Sequence, residues 1–152
     1  MDGAGGHPCG QHRSLDARLR AGTAARQAEV SQDRGPELNH KVPCGLGNLL
    51  KNHAFDLGSD DPPVIVECKC QTWTVSGGIP SAKMKNWAEA MFYFHMAPPQ
   101  YRKIFFVERS LRLGRDESLL AYFRRTQAHM IPADVELWEL DRDSDTLLIY
   151  ED

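Results

Sequence analysis

Three residues of this chain, Asp56, Glu67 and Lys69, have types and a spacing that could do chemistry. Glu67 and Lys69 stand two apart at the end of the apolar run 64–66, so on an extended strand their side chains point to the same face. Magnesium binds in proteins through one or two carboxylates and water, and a lysine beside such a pair offsets its negative charge. These residue types indicate a metal-assisted reaction at an anionic centre such as a phosphodiester.

Two predicted strands, residues 49–57 and 64–71, must position these residues. The second strand is rich in β-branched residues, and the proline-containing stretch 58–63 between the two is expected to be a hairpin loop. Alternation along the second strand predicts two faces. The face expected to meet the core carries Val64, Val66, Cys68 and Cys70. The opposite, charged face carries Ile65, Glu67, Lys69 and Gln71.

The hairpin decides which residues of the two strands face each other. With the turn centred between Asp61 and Pro62, residues whose numbers sum to 123 are opposed, and Asp56 lies opposite Glu67. Like charges about 5 Å apart repel each other, so a cation between the two carboxylates would relieve the contact. A slip of one residue would move Asp56 to the core face.

Two interpretations of the charged face remain open at this point. An antiparallel hairpin commonly has one packed face and one solvated face, and Glu67 and Lys69 would then be ordinary surface residues. In the other interpretation they form a metal site with Asp56. Asp60 and Asp61 are competing ligands, but they lie at the predicted tip of the hairpin, too far along the strand to meet Glu67 easily.

The pattern resembles the PD-(D/E)xK superfamily of metal-dependent nucleases, the restriction-endonuclease-like group. Asp56, ten intervening residues and then Glu67-x-Lys69 at the end of an apolar strand carry the resemblance, together with the amphipathic helix and the apolar strand predicted after them. The resemblance covers roughly residues 49–107. The chain departs from the motif at Phe55, which stands where the family has a proline before the first aspartate.

The resemblance implies a role for each residue of the motif. Asp56 and Glu67 would hold one or two Mg²⁺ ions, for which Mn²⁺ would substitute. The backbone carbonyl of Cys68 would be a further ligand. Lys69 would orient or help deprotonate the attacking water.

Four more residues are candidates for accessory or binding roles. Gln71 shares the charged face, where its side chain could contact water or phosphate. An ordinary surface position at the strand end is an equal alternative. Glu37 is the nearest match to the glutamate that some branches of the family supply from an N-terminal helix, although it follows a Gly-Pro break. Lys83 and Lys85 lie near the start of a predicted helix, where free backbone N–H groups favour phosphate. Each is a candidate for contacting the DNA backbone, although for either lysine taken singly the sequence favours a solvated surface position.

The order of predicted elements indicates an α/β fold with a central mixed sheet flanked by helices, a restriction-endonuclease-like core. Helices are predicted over residues 14–32, 81–96 and 116–129. Further strands are predicted over residues 38–42, 103–107, 135–140 and 147–150.

The second predicted helix, with Ser81 as its N-cap, carries apolar residues at three- and four-residue steps, which predicts a buried stripe. The members of the stripe are Met84, Trp87, Ala88, Met91, Phe92 and His95. Their spacing assigns Trp87 and Phe92 to core packing rather than to base stacking. His53 falls on the apolar face of its strand and is assigned to the core as well.

Length and composition are those of one soluble domain. We expect residues 1–12 to be a disordered lead, in which His7, Cys9 and His12 are only a weak metal motif. Residues 13–152 are expected to form a single nuclease-like domain. No segment has the apolar length of a bilayer span or of a signal peptide, and the cysteines lack the spacing of a disulfide framework, so a cytoplasmic protein is expected.

The charge of the chain is unevenly distributed. The net charge is −3, but residues 134–152 carry eight acids against one base, a balance of −7, which leaves +4 for residues 1–133. A locally basic surface is what phosphate binding needs, and the formal net charge does not exclude it.

The sequence therefore predicts a Mg²⁺-dependent DNA endonuclease. A catalytically inactive nucleic-acid-binding or assembly module of the same fold is the alternative, and a phosphodiesterase with another substrate differs only in what it cuts. Because one small domain has one site, cutting both strands of a duplex would call for a homodimer.

Overall fold

The structure, a computed structural model, describes residues 37–150 and contains one six-stranded sheet and two α-helices. Neighbours in the sheet follow chain order: β1 (Glu37–Cys44), β2 (Lys51–Asp60), β3 (Pro63–Lys69), β4 (Arg102–Glu108), β5 (Val135–Asp141) and β6 (Thr146–Tyr150). Helix α1 (Ser81–Met96) connects β3 to β4, and α2 (Leu119–Thr126) connects β4 to β5.

The sheet is mixed, as predicted. Strands β3, β4 and β5 are parallel, whereas β1–β2, β2–β3 and β5–β6 are antiparallel pairs. Parallel neighbours need a crossover connection, and the two helices supply the two crossovers. Both contribute buried residues to one core cluster on one face of the sheet, for example Trp87 of α1 and Phe123 of α2. The other face is apolar too, with buried Leu57, Val66, Ile104, Phe106 and Trp138.

The hairpin between β2 and β3 has the predicted register but a shorter loop. Leu57 pairs with Val66 and Asp60 with Pro63, so opposed residues sum to 123. The predicted loop over residues 58–63 is wrong, because the strands extend to Asp60 and resume at Pro63. Proline is tolerated as the first residue of a strand, so it shortens the loop here instead of ending the pairing.

Helix α1 ends where predicted, before Ala97-Pro98-Pro99, but the prediction of Ser81 as its N-cap is wrong. Ser81 is the first helical residue, and its hydroxyl donates to the Ile79 carbonyl. Pro80 occupies the cap position without a side-chain hydrogen bond, and its carbonyl accepts from the Lys83 and Met84 N–H groups at 2.9 and 3.0 Å.

The buried stripe of α1 differs in part from the predicted one. Its buried residues are Trp87, Ala90, Met91 and Phe94, which are related by three- and four-residue steps on a single face. Phe92, predicted to be buried, is 60% exposed, and His95 is exposed as well. The helix packs on the sheet through the row formed by its buried residues between positions 87 and 94. Phe92 and His95 lie off this row and therefore point outward.

The later elements occur in the predicted order, but the last helix is shorter than the one predicted over residues 116–129. Helix α2 starts after Ser118, whose hydroxyl accepts from the Ala121 N–H at 3.1 Å, and a 3₁₀ turn (Ala128–Met130) follows it. Strands β1, β4, β5 and β6 include the four further predicted strands.

The cysteine predictions are partly wrong. Cys44, Cys68 and Cys70 are thiols, with no disulfide among the described cysteines. Cys70, predicted to face the core, is exposed, and Cys68 is half-buried. No helix of residues 37–150 has both the length and the apolar character needed to cross a membrane. The predictions for residues 1–12 and 14–32 fall outside the described residues.

Candidate active site

Strands β2 and β3 part beyond Leu57 and Val66, and this opening, called the fork below, is where the candidate residues lie. The β2–β3 ladder runs only from Leu57–Val66 to Asp60–Pro63. Beyond it β2 pairs with β1 alone, so that Ala54 pairs with Lys41. The register sum of 123 would have opposed Ala54 to Lys69, but this pair does not form; past the opening, β2 keeps its pairing with β1 and β3 keeps its pairing with β4.

The carboxylate of Asp56 bridges the fork. Its Oδ2 accepts from the Cys68 backbone N–H at 2.7 Å. A side-chain oxygen thus takes the place that a main-chain carbonyl of β2 would hold in a continued ladder. On the β1 side, the ladder is also interrupted opposite Asp56, at Asn39, whose φ is +54°. Asp56 is therefore anchored next to Glu67 by a charge-assisted hydrogen bond rather than by strand pairing.

The same interruption changes the side-chain alternation of β2. Phe55 is fully buried in the helix-covered cluster, whereas Leu57 pairs with Val66 and neither of these belongs to that cluster. Strand alternation would put Phe55 and Leu57 on one face, but the break at Asp56 puts them on opposite faces. Phe55, in the position of the family's proline, packs against Phe94 with ring centroids 5.3 Å apart.

Glu67 and Lys69 form a shielded ion pair at the open side of the fork. Lys69 Nζ lies 2.5 Å from Glu67 Oε1, and the two side chains are only 15% and 13% exposed, respectively. By strand alternation they share their face with the buried Ile65, which lies in the helix-covered core. The interpretation of this face as a solvated surface is therefore wrong, since the pair lies at the rim of the core.

The environment of Glu67 works against its ionised form. Burial raises the pKa of Glu67, and the nearby carboxylates of Asp56 and Glu89 raise it further. Lys69 acts in the opposite direction but does not cancel the effect of burial. A second cation at this position would favour the ionised carboxylate.

The donor set fits magnesium. Asp56 and Glu67 each have a second carboxylate oxygen that makes no hydrogen bond within residues 37–150, and the Cys68 carbonyl follows on the same strand. Within that range no three His, Cys, Asp or Glu residues are grouped closely enough to hold a metal on their own. Magnesium needs no such group, because it keeps several waters and takes one or two carboxylates. A structural zinc ion would need four protein ligands.

His53, assigned to the core from the sequence, also lies near the site. Its ring stacks on the ring of Tyr93 in α1, with a centroid distance of 3.7 Å and an interplanar angle of 10°. Its Nε2 is buried without a hydrogen-bond partner among the described residues. Burial lowers the pKa of His53, and the charge of Lys69 lowers it further, which favours the neutral ring. In the sequence, the position of His53 three residues before Asp56 was the available sign that it lies near the site. Its assignment to the core is compatible with this proximity, because the core and the site lie on one face of the sheet.

Gln71 is tied to helix α1. The indole Nε1–H of Trp87 donates to Gln71 Oε1 at 2.6 Å, and Gln71 is partly exposed. This contact connects the end of the site strand to the helix that covers the core. Gln71 therefore has a positioning contact with α1. Neither of its two predicted roles, an accessory site residue or a strand-end surface residue, included this contact.

The other three candidates are spread around the site. Glu37 begins β1 and pairs with Gly58, so it lies on a strand and not on the helix that the resemblance implied. Lys83 and Lys85 are both exposed in the first turns of α1. Lys85 precedes Glu89 by four residues and lies on its side of the helix, whereas Lys83 is turned about 120° away. Lys85 thus lies on the side of α1 that carries Glu89, and Lys83 lies on the side that carries Trp87, four residues after it.

Comparison of the chain with protein-family models, with curated proteins and with solved structures gives no match in any of the three. The family resemblance consequently rests on the motif and on the order of elements in this chain. Function must be argued from the geometry of the fork.

Proposed function

We propose that this protein is a metal-dependent endonuclease that hydrolyses DNA phosphodiester bonds at the fork. The observation that carries the proposal is the convergence there of two carboxylates, Asp56 and Glu67, with a shielded Lys69. Magnesium is the proposed cofactor and manganese its substitute, since both prefer oxygen ligands.

The arrangement of elements supports the same proposal. Strands β1, β2 and β3 form an antiparallel meander, and α1 then crosses over to β4, which lies parallel to β3. The elements β2, β3, α1 and β4 follow the strand–strand–helix–strand order on which the PD-(D/E)xK resemblance rests. The motif residues lie on the first two of these strands, β2 and β3.

Each residue of the fork has a task in the proposed reaction. The Cys68 N–H holds Asp56 in place beside Glu67, and the second carboxylate oxygens of Asp56 and Glu67 would be the two negative ligands of the metal. Bound magnesium would lower the pKa of the attacking water and stabilise the charge that develops on the phosphate oxygens. The ammonium group of Lys69, which lies beside Glu67 at the fork, would donate a hydrogen bond to orient the attacking water.

A second candidate is the catalytically inactive nucleic-acid-binding or assembly module. It is favoured by the ion pair between Glu67 and Lys69, which satisfies both charges without a metal. A DNA-cutting assay separates the two candidates, because binding without cutting in any metal supports the inactive module.

We expect supercoiled DNA to be nicked in Mg²⁺ or Mn²⁺ and left intact in EDTA. Asp56→Asn and Lys69→Ala should each lower the nicking rate by about 100-fold or more, because both act on the developing charge. Asp143→Asn, which changes an exposed acid in the turn between β5 and β6, is the matched control and should cut normally. Equal nicking by all three variants would contradict the site. Parallel incubation with single-stranded DNA and RNA identifies the preferred polymer.

We further expect the active species on duplex DNA to be a homodimer, because each chain has one proposed site and a duplex has two strands. Gel filtration of the protein, free and bound to a short duplex, should give two copies per duplex. A monomer in both samples would contradict this prediction.

A further inference from the structure

The face change of β2 at Asp56 coincides with an irregular residue of β1. Asn39 lies opposite Asp56 and has a left-handed backbone at φ +54°, a conformation that asparagine adopts more readily than most residues. The pairs before and after this point keep one register, so neither strand gains a residue. The face change therefore comes from local backbone geometry, and not from the extra residue of a β-bulge.

His40, the next residue of β1, occupies the space that a side chain at position 58 would need. A Cβ placed on Gly58 would lie 2.5 Å from the His40 Cβ and 2.6 Å from its Cγ. His40 pairs with Phe55, three residues before Gly58, so a regular extended strand would keep the two positions about 10 Å apart. The close approach is thus tied to the face change between them, and it requires glycine at position 58.

Hydrogen bonds hold the His40 ring in this place. Its Nε2 lies 3.0 Å from Asp60 Oδ1, and the Tyr101 hydroxyl donates to the same oxygen at 2.5 Å. The bonds from Tyr101 and His40 lower the pKa of the Asp60 carboxyl, which favours the ionised form that accepts both. The buried ring thus joins β1 to the last residue of β2 and to the residue before β4. These three residues are called the His40 anchor below.

The face change gives Asp56 its place at the fork. Phe55 lies in the helix-covered core cluster, so regular alternation would turn the next side chain, that of Asp56, to the opposite face. Glu67 shares the face of Ile65, which belongs to the same cluster, and the two carboxylates would then lie on different sides of the sheet. Because β2 is irregular at Asp56, its carboxylate instead reaches the Cys68 N–H at 2.7 Å. The fork therefore depends on this irregular geometry.

We propose that His40 is a positioning residue of the fork. Seated in the space that Gly58 leaves open, and held by the other two members of the His40 anchor, it fixes the face change that lets the Asp56 carboxylate reach the Cys68 N–H. The hold on Asp56 does not depend on the proposed function, whereas its consequence for DNA cutting rests on that function.

The test follows hydrogen exchange of the Cys68 amide in EDTA, relative to the Phe106 amide of β4, which reports opening of the central sheet. We expect His40→Ala and Gly58→Ala each to raise this ratio roughly tenfold or more, because the Cys68 N–H loses its bond to a carboxylate. His40→Gln should stay within about threefold of the wild type, because its amide N–H can replace the ring as donor to Asp60.

A stability control and a cutting assay complete the experiment. Phe123→Leu, which reduces packing beneath α2, should leave the exchange ratio unchanged. In Mg²⁺, His40→Ala should nick supercoiled DNA with a kcat roughly tenfold lower and a similar KM, since the loss falls on the reacting geometry and not on DNA binding. His40→Gln should cut at a rate close to that of the wild type.

The outcomes separate this proposal from the nuclease. An unchanged ratio in His40→Ala and Gly58→Ala would overturn the positioning role, and so would an equal rise in Phe123→Leu, since His40 would then only stabilise the fold. If Gly58→Ala does not fold, His40→Ala and His40→Gln decide alone.

A raised ratio in His40→Ala, with no cutting by the wild type in any metal, would leave the hold on Asp56 standing and overturn the nuclease. Full-rate cutting by His40→Ala despite a raised ratio would leave the nuclease standing and overturn the role of His40 in the reaction.

Discussion

Glu67→Gln is expected to lower the rate of metal-dependent DNA cutting by about 1,000-fold or more. The substitution keeps the shape of the side chain but removes the charge that would hold the metal and, through it, stabilise the charge that develops in the reaction. Cutting by the wild type should also fall as the pH is lowered through the raised pKa of Glu67, because the metal competes with the proton for that carboxylate. Initial nicking rates measured across pH values test both expectations.

The same residue links stability to pH when no metal is present. Because burial raises the pKa of Glu67 in the folded protein, the folded state binds the proton more tightly than the unfolded state. The contribution of Glu67 to stability is then fully present below the unfolded pKa and is lost as the pH rises through the folded one. Urea unfolding in EDTA should show the wild type losing stability relative to Glu67→Gln over that window.

Magnesium should reverse this difference. A ligand that binds only the folded state stabilises it by about 1.4 kcal/mol at ten times its dissociation constant, so Mg²⁺ should raise the unfolding midpoint of the wild type and leave Glu67→Gln unchanged. Glu117→Gln, which changes a glutamate paired with Arg125 away from the fork, is the control and should behave as the wild type. If Mg²⁺ stabilises Glu67→Gln as much as the wild type, Glu67 does not hold the metal.

The second large effect is expected at Trp87, where substitution by alanine should cost about 3–5 kcal/mol of unfolding free energy. Its indole is fully buried and meets the Phe105 and Phe123 rings edge-on at centroid distances of 5.3 Å. It also donates the hydrogen bond to Gln71 that joins α1 to the end of the site strand. Phe92→Ala, on the same helix, should change stability by less than about 0.5 kcal/mol, since this side chain is mostly exposed.

Denaturant unfolding of Trp87→Ala, Phe92→Ala and Trp87→Phe distinguishes packing from hydrogen bonding. Trp87→Phe keeps most of the apolar contact and loses the bond to Gln71, for which a cost of about 1–2 kcal/mol is expected. Equal effects of Trp87→Ala and Phe92→Ala would show that α1 does not rest on the sheet through the row that contains Trp87.

The elements of this fold could be predicted from the sequence because their signals are local. The β-branched run of β3, the Pro-Pro sequence after α1 and the Asp61-Pro62 turn each act on neighbouring residues. The turn alone set the β2–β3 register, and this prediction is confirmed by the Leu57–Val66 pair. The types and spacing of Asp56, Glu67 and Lys69 belong to the same local level and indicated the chemistry to look for.

Which face is buried is decided by contacts between distant segments. Alternation divides β3 into two faces, but both faces of this strand hold buried residues, Ile65 on one and Val66 on the other. The charged end of the strand thus lies beside a core and not in water. For the same reason the sequence could not separate Trp87 from Phe92, because both satisfy helical spacing and only the docking of α1 on the sheet distinguishes them.

The sequence by itself determined the residue types at the candidate site, the register of the hairpin and the α/β order of the elements. Only the tertiary structure decided that β2 leaves β3 beyond Leu57 and that Asp56 spans the gap by accepting the Cys68 N–H. The physical reason is that strand alternation is a local property of the sequence, whereas the interruption at Asp56 and Asn39 lies in the pairing of β2 with both of its neighbours, and that pairing depends on segments far apart in the chain. The shift in the pKa of Glu67 has the same origin, because burial is a property of the assembled core.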